Sequence, residues 1–304
     1  MKINFHLLIL GILVVLPFFS FAQALITVEQ KTVSMSQGEQ PAYIVNVPEA
    51  DFDQVTKDWE KIIRQNTKSK VEESGQELVI MGTQIPEIHH NPINIFSTLF
   101  QADSSIIIVA VYEIDSTFFS FSEENKNLHS EKTNNHITHF MRNFAVEQYK
   151  EFVEEEFETE DKKLIDLSKE LEDLAKKHQS FLEEIEENQQ DIKNAEDVIS
   201  SSEKDNERKL EEINIKKESM ASVSDDPIQF DAAKDQLKDL EKEKRNIENI
   251  LEKEKKNIVK YNSSIEEYNR KIEANLEQQE MVKASIEEQK IVVSNVNLKL
   301  KGIK

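Results

Sequence analysis

The sequence predicts an α+β N-terminal domain, an antiparallel sheet with two helices, followed by a long antiparallel α-helical coiled-coil hairpin. Three observations predict it. The 304-residue chain has only 5 glycines and 6 prolines, where average usage would give roughly 20 and 15. These turn formers are crowded into the first third. After Gly82 the next glycine is Gly302, and after Pro92 the only proline is Pro227. Near Thr133 the apolar pattern changes from the strand period of about 2 to the coiled-coil period of about 3.5.

Residues 1–22 read as a signal peptide. Lys2 supplies a short positive region, and Leu7 to Phe19 is apolar and broken by Pro17. Ser20 and Ala22 occupy the small-residue positions of a signal peptidase site. Cleavage after Ala22 leaves Gln23 as the first residue; a second possible cut follows Ala24. The apolar run is shorter than the ~20 residues a membrane span wants, and no later segment supplies one, so the mature chain is expected without a transmembrane segment. The destination is periplasmic or secreted. The chain has no cysteine, so its stability must come from a core and a helical seam rather than disulfides. Asn262-Ser263-Ser264 is a glycosylation sequon, relevant only in a eukaryotic secretory route.

Residues 23–132 form the expected α+β domain. Leu25 to Val33 alternates and is rich in β-branched residues, Ser36 to Pro41 reads as a turn, and Tyr43 to Val47 as a second strand. Asp51 is an N-cap with Gln54 at the capping-box position. Phe52, Val55, Trp59 and Ile62 then follow at helical spacing, with Trp59 as a core anchor. Val71 to Met81 is a hairpin around Ser74-Gly75, and Ile85 to Pro92 a polar loop. Ile95 to Phe100 and Ile106 to Ile114 are two more strands, joined at Gln101 to Ser105. The second is apolar on both faces and is expected at the centre of the sheet. Phe118, Phe119 and Phe121 suggest a short strand or packing segment, with a loop at Ser122 to Asn127. The order helix, four strands, helix resembles the TATA-binding-protein-like and helix-grip arrangements at the level of element order, and such folds host many functions.

Residues 133–304 form the expected coiled-coil hairpin. Leu164, Leu167, Leu171, Leu174, His178, Phe181, Ile185, Asn188, Ile192, Ala195 and Ile199 alternate in steps of three and four. The register then slips around Ser200 to Asn206 and resumes at Leu210, Ile213, Lys217 and Met220. From Phe230 to Ile303 the heptads run without a slip, through Lys244, Glu254, Asn275, Gln279 and Gln289 as polar seam positions that can set register or receive a partner helix. The turn is placed at 222–227, where Asp226 caps and Pro227 opens the second arm. Folding back at that turn would bring the C-terminus beside the helix near residue 145, with Lys299, Lys301 and Lys304 at the negative end of the last helix dipole.

Charge narrows the function classes. The net charge is -21, which excludes a conventional nucleic-acid binder, since that needs a basic face. Residues 151–226 carry 26 acids and 11 bases; residues 227–304 carry 15 acids and 16 bases. Pairing such arms puts unlike neighbours along the seam edge. No glycine-rich nucleotide loop, Gly-x-Ser-x-Gly or His-Glu-x-x-His occurs, so no catalytic or cofactor-binding residue is assigned. His89, His90, His136 and His139 are the weak metal candidates, if the fold gathers them. No cofactor is expected. The reading is an exported, non-enzymatic structural or interaction protein of the cell envelope, meeting a protein partner through its hairpin or forming a homo-oligomer. The alternative is a small-ligand-binding α+β module, with a pocket lined by Phe118, Phe140 and Phe144 and the coiled coil as oligomerisation device. N-terminal sequencing of the exported chain should read from Gln23 or Leu25; a chain starting at Met1 refutes cleavage.

Overall fold

A computed structural model of the chain describes residues 26–119, 128–222 and 225–304. The signal-peptide segment, both cleavage positions, Phe121, the Ser122–Asn127 loop and two residues of the predicted turn, Val223 and Ser224, lie outside them. The chain divides into two compact units, Met1–Lys162 with Lys290–Lys304, and Lys163–Gln289.

The first unit is built on one antiparallel sheet. Strands β1 (Val28–Met35), β2 (Gly38–Pro48), β3 (Glu72–Ser74), β4 (Glu77–Thr83), β5 (Ile93–Ala102), β6 (Ser105–Ile114) and β7 (Thr117–Phe118) run in the spatial order β1-β2-β6-β5-β4-β3, with β7 paired to β6. Helix α1 (Phe52–Ile63) crosses one face between β2 and β3. Strand β6 lies between β2 and β5, as its two-sided apolar pattern predicts.

Alternation decides the faces. Tyr43, Val45 and Val47 of β2, Ile80 of β4, Ile93 and Ile95 of β5, and Ile106, Ile108, Ala110 and Tyr112 of β6 form a single buried cluster with Val55, Trp59 and Ile63 of α1. The start of helix α2 (Leu128–Ser222) closes it with Ile137, Phe140, Met141, Phe144, Ala145, Tyr149 and Val153. Val296, Leu300 and Ile303 from the end of helix α3 (Pro227–Gly302) pack against the same cluster. The expected return of the C-terminus is thus realised within this unit. Arg142 Nη2 donates to Lys304 O at 2.6 Å and Arg142 Nε to Ile26 O at 3.1 Å, tying the last residue to the segment just before β1.

Local chemistry explains the junctions. Asp51 caps α1 by accepting from Gln54 N at 2.9 Å. The reciprocal half of the capping box does not form; Gln54 Nε2 instead donates to Asp58 Oδ2 at 2.8 Å. At the other end Thr83 Oγ1 donates to Ile63 O at 2.6 Å, satisfying a terminal helix carbonyl from a strand. Trp59 is the core anchor its position suggests: it is fully buried and its Nε1 donates to Ser97 Oγ at 2.9 Å. Gly82, at φ 69°, sits where the β4–β5 register shifts, a bulge only glycine enters without strain. The Ile85–Pro92 segment is less polar than its composition suggests, because Ile85 and Ile88 turn fully into the core.

The second unit pairs the arms of α2 and α3, helices of 95 and 76 residues. Its seam keeps a strict heptad throughout, which corrects the slip expected near Ser200. Ser202, Asn206, Lys209, Ile213, Lys216 and Met220 turn inward, and Leu210 and Lys217 turn outward. A continuous helix wound against a continuous partner cannot rephase without a local distortion. The polar residues therefore take seam positions, and Lys209 and Asn275 find partners there. Lys209 buries its stem and pairs its ammonium with Glu212 and, across the seam, Glu243, each at 2.7 Å. Asn275 Nδ2 donates across the seam to Leu174 O at 3.1 Å, and its own Oδ1 accepts from Gln279 at 2.8 Å. That bond forms only in one register. Asp226 caps α3 by accepting from Ile228 N and Gln229 N at 3.0 and 3.2 Å.

Ion pairs between the arms run in both senses: Lys209–Glu243 and Lys217–Glu241 place the base on the acidic arm, whereas Glu203–Lys255 and Glu156–Lys299 run in the expected sense. Most others are exposed pairs three or four residues apart within one helix, such as Lys176–Glu172 and Lys256–Glu252. Such pairs are screened by solvent and add little to stability.

The strict register is checked by urea unfolding followed at 222 nm. Leu210→Ser should change stability by less than about 0.5 kcal/mol, as at any open surface site. Ile213→Ala should cost about 2–4 kcal/mol. Asn206 Oδ1 is buried with no hydrogen-bond partner among the described residues, so Asn206→Leu should stabilise by about 1 kcal/mol or more. A large loss at Leu210 would restore the slipped register.

Candidate functional site

The first unit carries a hollow of about 670 Å³ between α1 and the first turns of α2. Helical spacing builds both walls. Gln54, Asp58 and Lys61 recur at four and three residues along α1, with Gln65 just past its end; His136, His139, Asn143, Glu147 and Glu151 recur at three, four, four and four along α2. Ile62, Phe140 and Phe144 form the apolar part of the lining. Phe140 and Phe144 rest on Trp59, with ring centroids 6.2 and 5.1 Å away. These contacts fix both phenylalanines in place.

The polar part is ordered by amides. Asp58 Oδ2 accepts from Gln54 Nε2 at 2.8 Å and from the buried Gln148 Nε2 at 3.3 Å. Glu87, Glu147 and Glu151 are exposed on the rim. Asp58, Glu87, Glu147 and Glu151 face one ammonium, that of Lys61. None of the four carboxylates forms an ion pair among the described residues.

The four candidate histidines fall in different places. His136 and His139 line the hollow; His89 and His90 do not. His136 Nδ1 lies 3.2 Å from Ile88 O; a carbonyl only accepts, so Nδ1 carries the proton. His89 Nδ1 accepts from Asn91 N at 3.0 Å. Among the described residues no three His, Cys, Asp or Glu side chains are grouped to hold a metal ion.

Phe118 does not join Phe140 and Phe144. Its pairing with Glu113 puts it on the opposite face of the sheet, where its ring lies 6.3 Å from Phe96. The expected three-phenylalanine pocket is therefore corrected to a groove holding two of them. Asp58 and Lys61 are functional candidates that the apolar periodicity of α1 does not mark. The signal was the polar row beside that face.

Two further arrangements involve titratable groups. Tyr43 and Tyr112 meet edge to face at 5.5 Å on the inner side of the sheet. Tyr43 donates to Asn134 Oδ1 at 2.6 Å, whereas the Tyr112 hydroxyl is buried with no hydrogen-bond partner among the described residues. Burial pushes both hydroxyls well above their ordinary 10.0, and for Tyr112 the neighbouring Tyr43 adds to it. At the end of α3, Lys299 pairs with Glu49 and, at 2.8 Å, with Glu156, and lies over the Tyr149 and Phe152 rings. Desolvation pulls its ammonium down, but hydrogen bonds to Glu156 and Glu49 outweigh it and leave it above its ordinary 10.5.

No family model matches the chain, and no curated protein matches it. The crystal structure of CalU16 from Micromonospora echinospora is similar over 42% of this chain and 96% of its own, at 12% identity and a TM-score of 0.21. A likeness at that score carries no inference. No helix among the described residues is long and apolar enough to cross a membrane.

Groups raised on folding contribute stability that is complete below their unfolded value and lost as pH rises through the folded one. Tyr43, Tyr112 and Lys299 are all of this kind, so stability should hold from neutral pH to about 10 and fall beyond it. Tyr112→Phe should leave neutral stability unchanged or higher, because it removes an unpaired buried hydroxyl, while flattening the alkaline fall. Tyr43→Phe should cost about 1 kcal/mol at neutral pH. Denaturant titrations from pH 7 upward read all three expectations, and a Tyr112→Phe loss as large as that of Tyr43→Phe contradicts the orphan hydroxyl.

Proposed function

We propose that this is an exported, non-enzymatic coiled-coil protein of the cell envelope whose hairpin serves as a spacer or docking rod for a protein partner or a second copy. The observation that supports it is the second unit. It consists of two paired arms, and among the described residues their buried apolar side chains gather along the seam between them. A helix pair of this length covers roughly 1.5 Å per residue while asking little of its outer surface. That outer surface is mostly charged, with isolated apolar side chains such as Ile215 at 60% and Val259 at 67% exposure. The apolar N-terminal run and its small-residue site support export.

Photo-crosslinking in the cells that make the protein tests this reading. A crosslinker at Ile215 or Val259 should capture an envelope protein or a second copy of the chain; one at the exposed control Lys256 should not. Capture of cytosolic proteins only, or equal capture at all three positions, counts against it.

The groove between α1 and α2 favours a second reading: the first unit as a small-ligand-binding module with the coiled coil as its oligomerisation device. Its volume falls in the roughly 300–1,000 Å³ typical of small-molecule sites.

A further inference from the structure

The groove is apolar at one part of its lining and acidic around the rest. Phe140, Phe144 and Ile62 offer it an apolar wall. Asp58, Glu87, Glu147 and Glu151 border the same space, opposed by Lys61 alone. Elsewhere the chain neutralises many of its carboxylates with lysines three or four residues away, as at Glu172–Lys176 and Glu267–Lys271. Here no such pairing occurs among the described residues. The Asp58 carboxylate is also oriented in advance by the Gln54 and Gln148 amides. A carboxylate held this way loses little freedom when a cation arrives.

We propose that this groove binds a small organic cation with an apolar body, of the alkylamine class, the ammonium meeting Asp58 and the Glu147–Glu151 row and the hydrocarbon lying on Phe140 and Phe144. The assignment rests on the ligand-binding reading and names its ligand chemistry. An anion would enter against an uncompensated negative potential. A partner helix would need a row of apolar anchors at successive turns, and Ile62, Phe140 and Phe144 provide one short patch. The aromatic faces add cation–π attraction for an ammonium that reaches them.

The experiment uses the full chain and three probes that share one hydrocarbon: hexylammonium, hexanol and hexanoate. Trp59 is the sole tryptophan and lies against Phe140 and Phe144, so its fluorescence reports occupancy, with calorimetry as the independent readout. Hexylammonium should bind at least about tenfold more tightly than either other probe. Its affinity should fall with added salt and drop about tenfold in the Glu147→Gln/Glu151→Gln variant, both changes being at exposed positions. If that variant does not fold, the salt titration of the unaltered chain carries the test. Equal or tighter binding of hexanol or hexanoate overturns the cation assignment and leaves the ligand-binding reading standing. No binding of any probe at millimolar concentration overturns both. Binding of a lysine-rich helical peptide without binding of hexylammonium replaces the small ligand with a protein partner.

Discussion

The inner side chains of β2, β4, β5 and β6 form one apolar surface, from Tyr43 and Val45 through Ile108 and Tyr112 to Ile93, Ile95 and Ile80. Removing that surface from water is the largest favourable term in the first unit, at roughly 25 cal/mol per Å². Its demands place everything else there. One short helix cannot cover a sheet of this width, so α1 covers part with Val55, Trp59 and Ile63, and α2 covers the rest with residues from Ile137 to Val153. The strip left beside them is closed by Val296, Leu300 and Ile303 of α3. The Lys299 ion pairs and the Arg142 hydrogen bonds then secure that returning segment.

The groove is a by-product of this covering. Phe140 and Phe144 must reach Trp59 to complete the core, so the α2 residues one step round the helix face the matching row of α1 across open space. Those residues are polar because solvent reaches them. Their charges are not balanced, and that imbalance is what distinguishes the groove from an ordinary gap between helices.

The second unit solves a simpler problem with a repeated answer. Each seam layer buries a modest apolar pair, and polar layers interrupt the run. Lys209, Asn206 and Asn275 lower the gain from burial while restricting how the arms can slide. Asn275 illustrates the trade most directly, since its bond to Leu174 O exists in one register only. The surface ion pairs contribute solubility and small local helix support, and little of the joining.

Fold class was legible because it depends on local pattern: period, capping residues and the absence of turn formers are properties of neighbouring residues. Asp51, Asp226 and Pro227 did what their chemistry dictates at helix starts. The heptad of α3 was read position for position. The passage from Ser200 to Met220 was not, because sequence favours the apolar Leu210 whereas the continuous partner arm demands Asn206 and Lys209. Phe118 was misplaced for a related reason, since strand pairing, not composition, decides which face a side chain takes. The groove was invisible because its walls come from helices some 80 residues apart, and only packing against the shared sheet brings Asp58 toward Glu147 and Glu151. What the sequence alone determined were the elements and their periods, which arise from local backbone and solvent preferences. What only the tertiary structure decided were register, face and the acidic groove, which arise from contacts between distant residues competing for one buried surface.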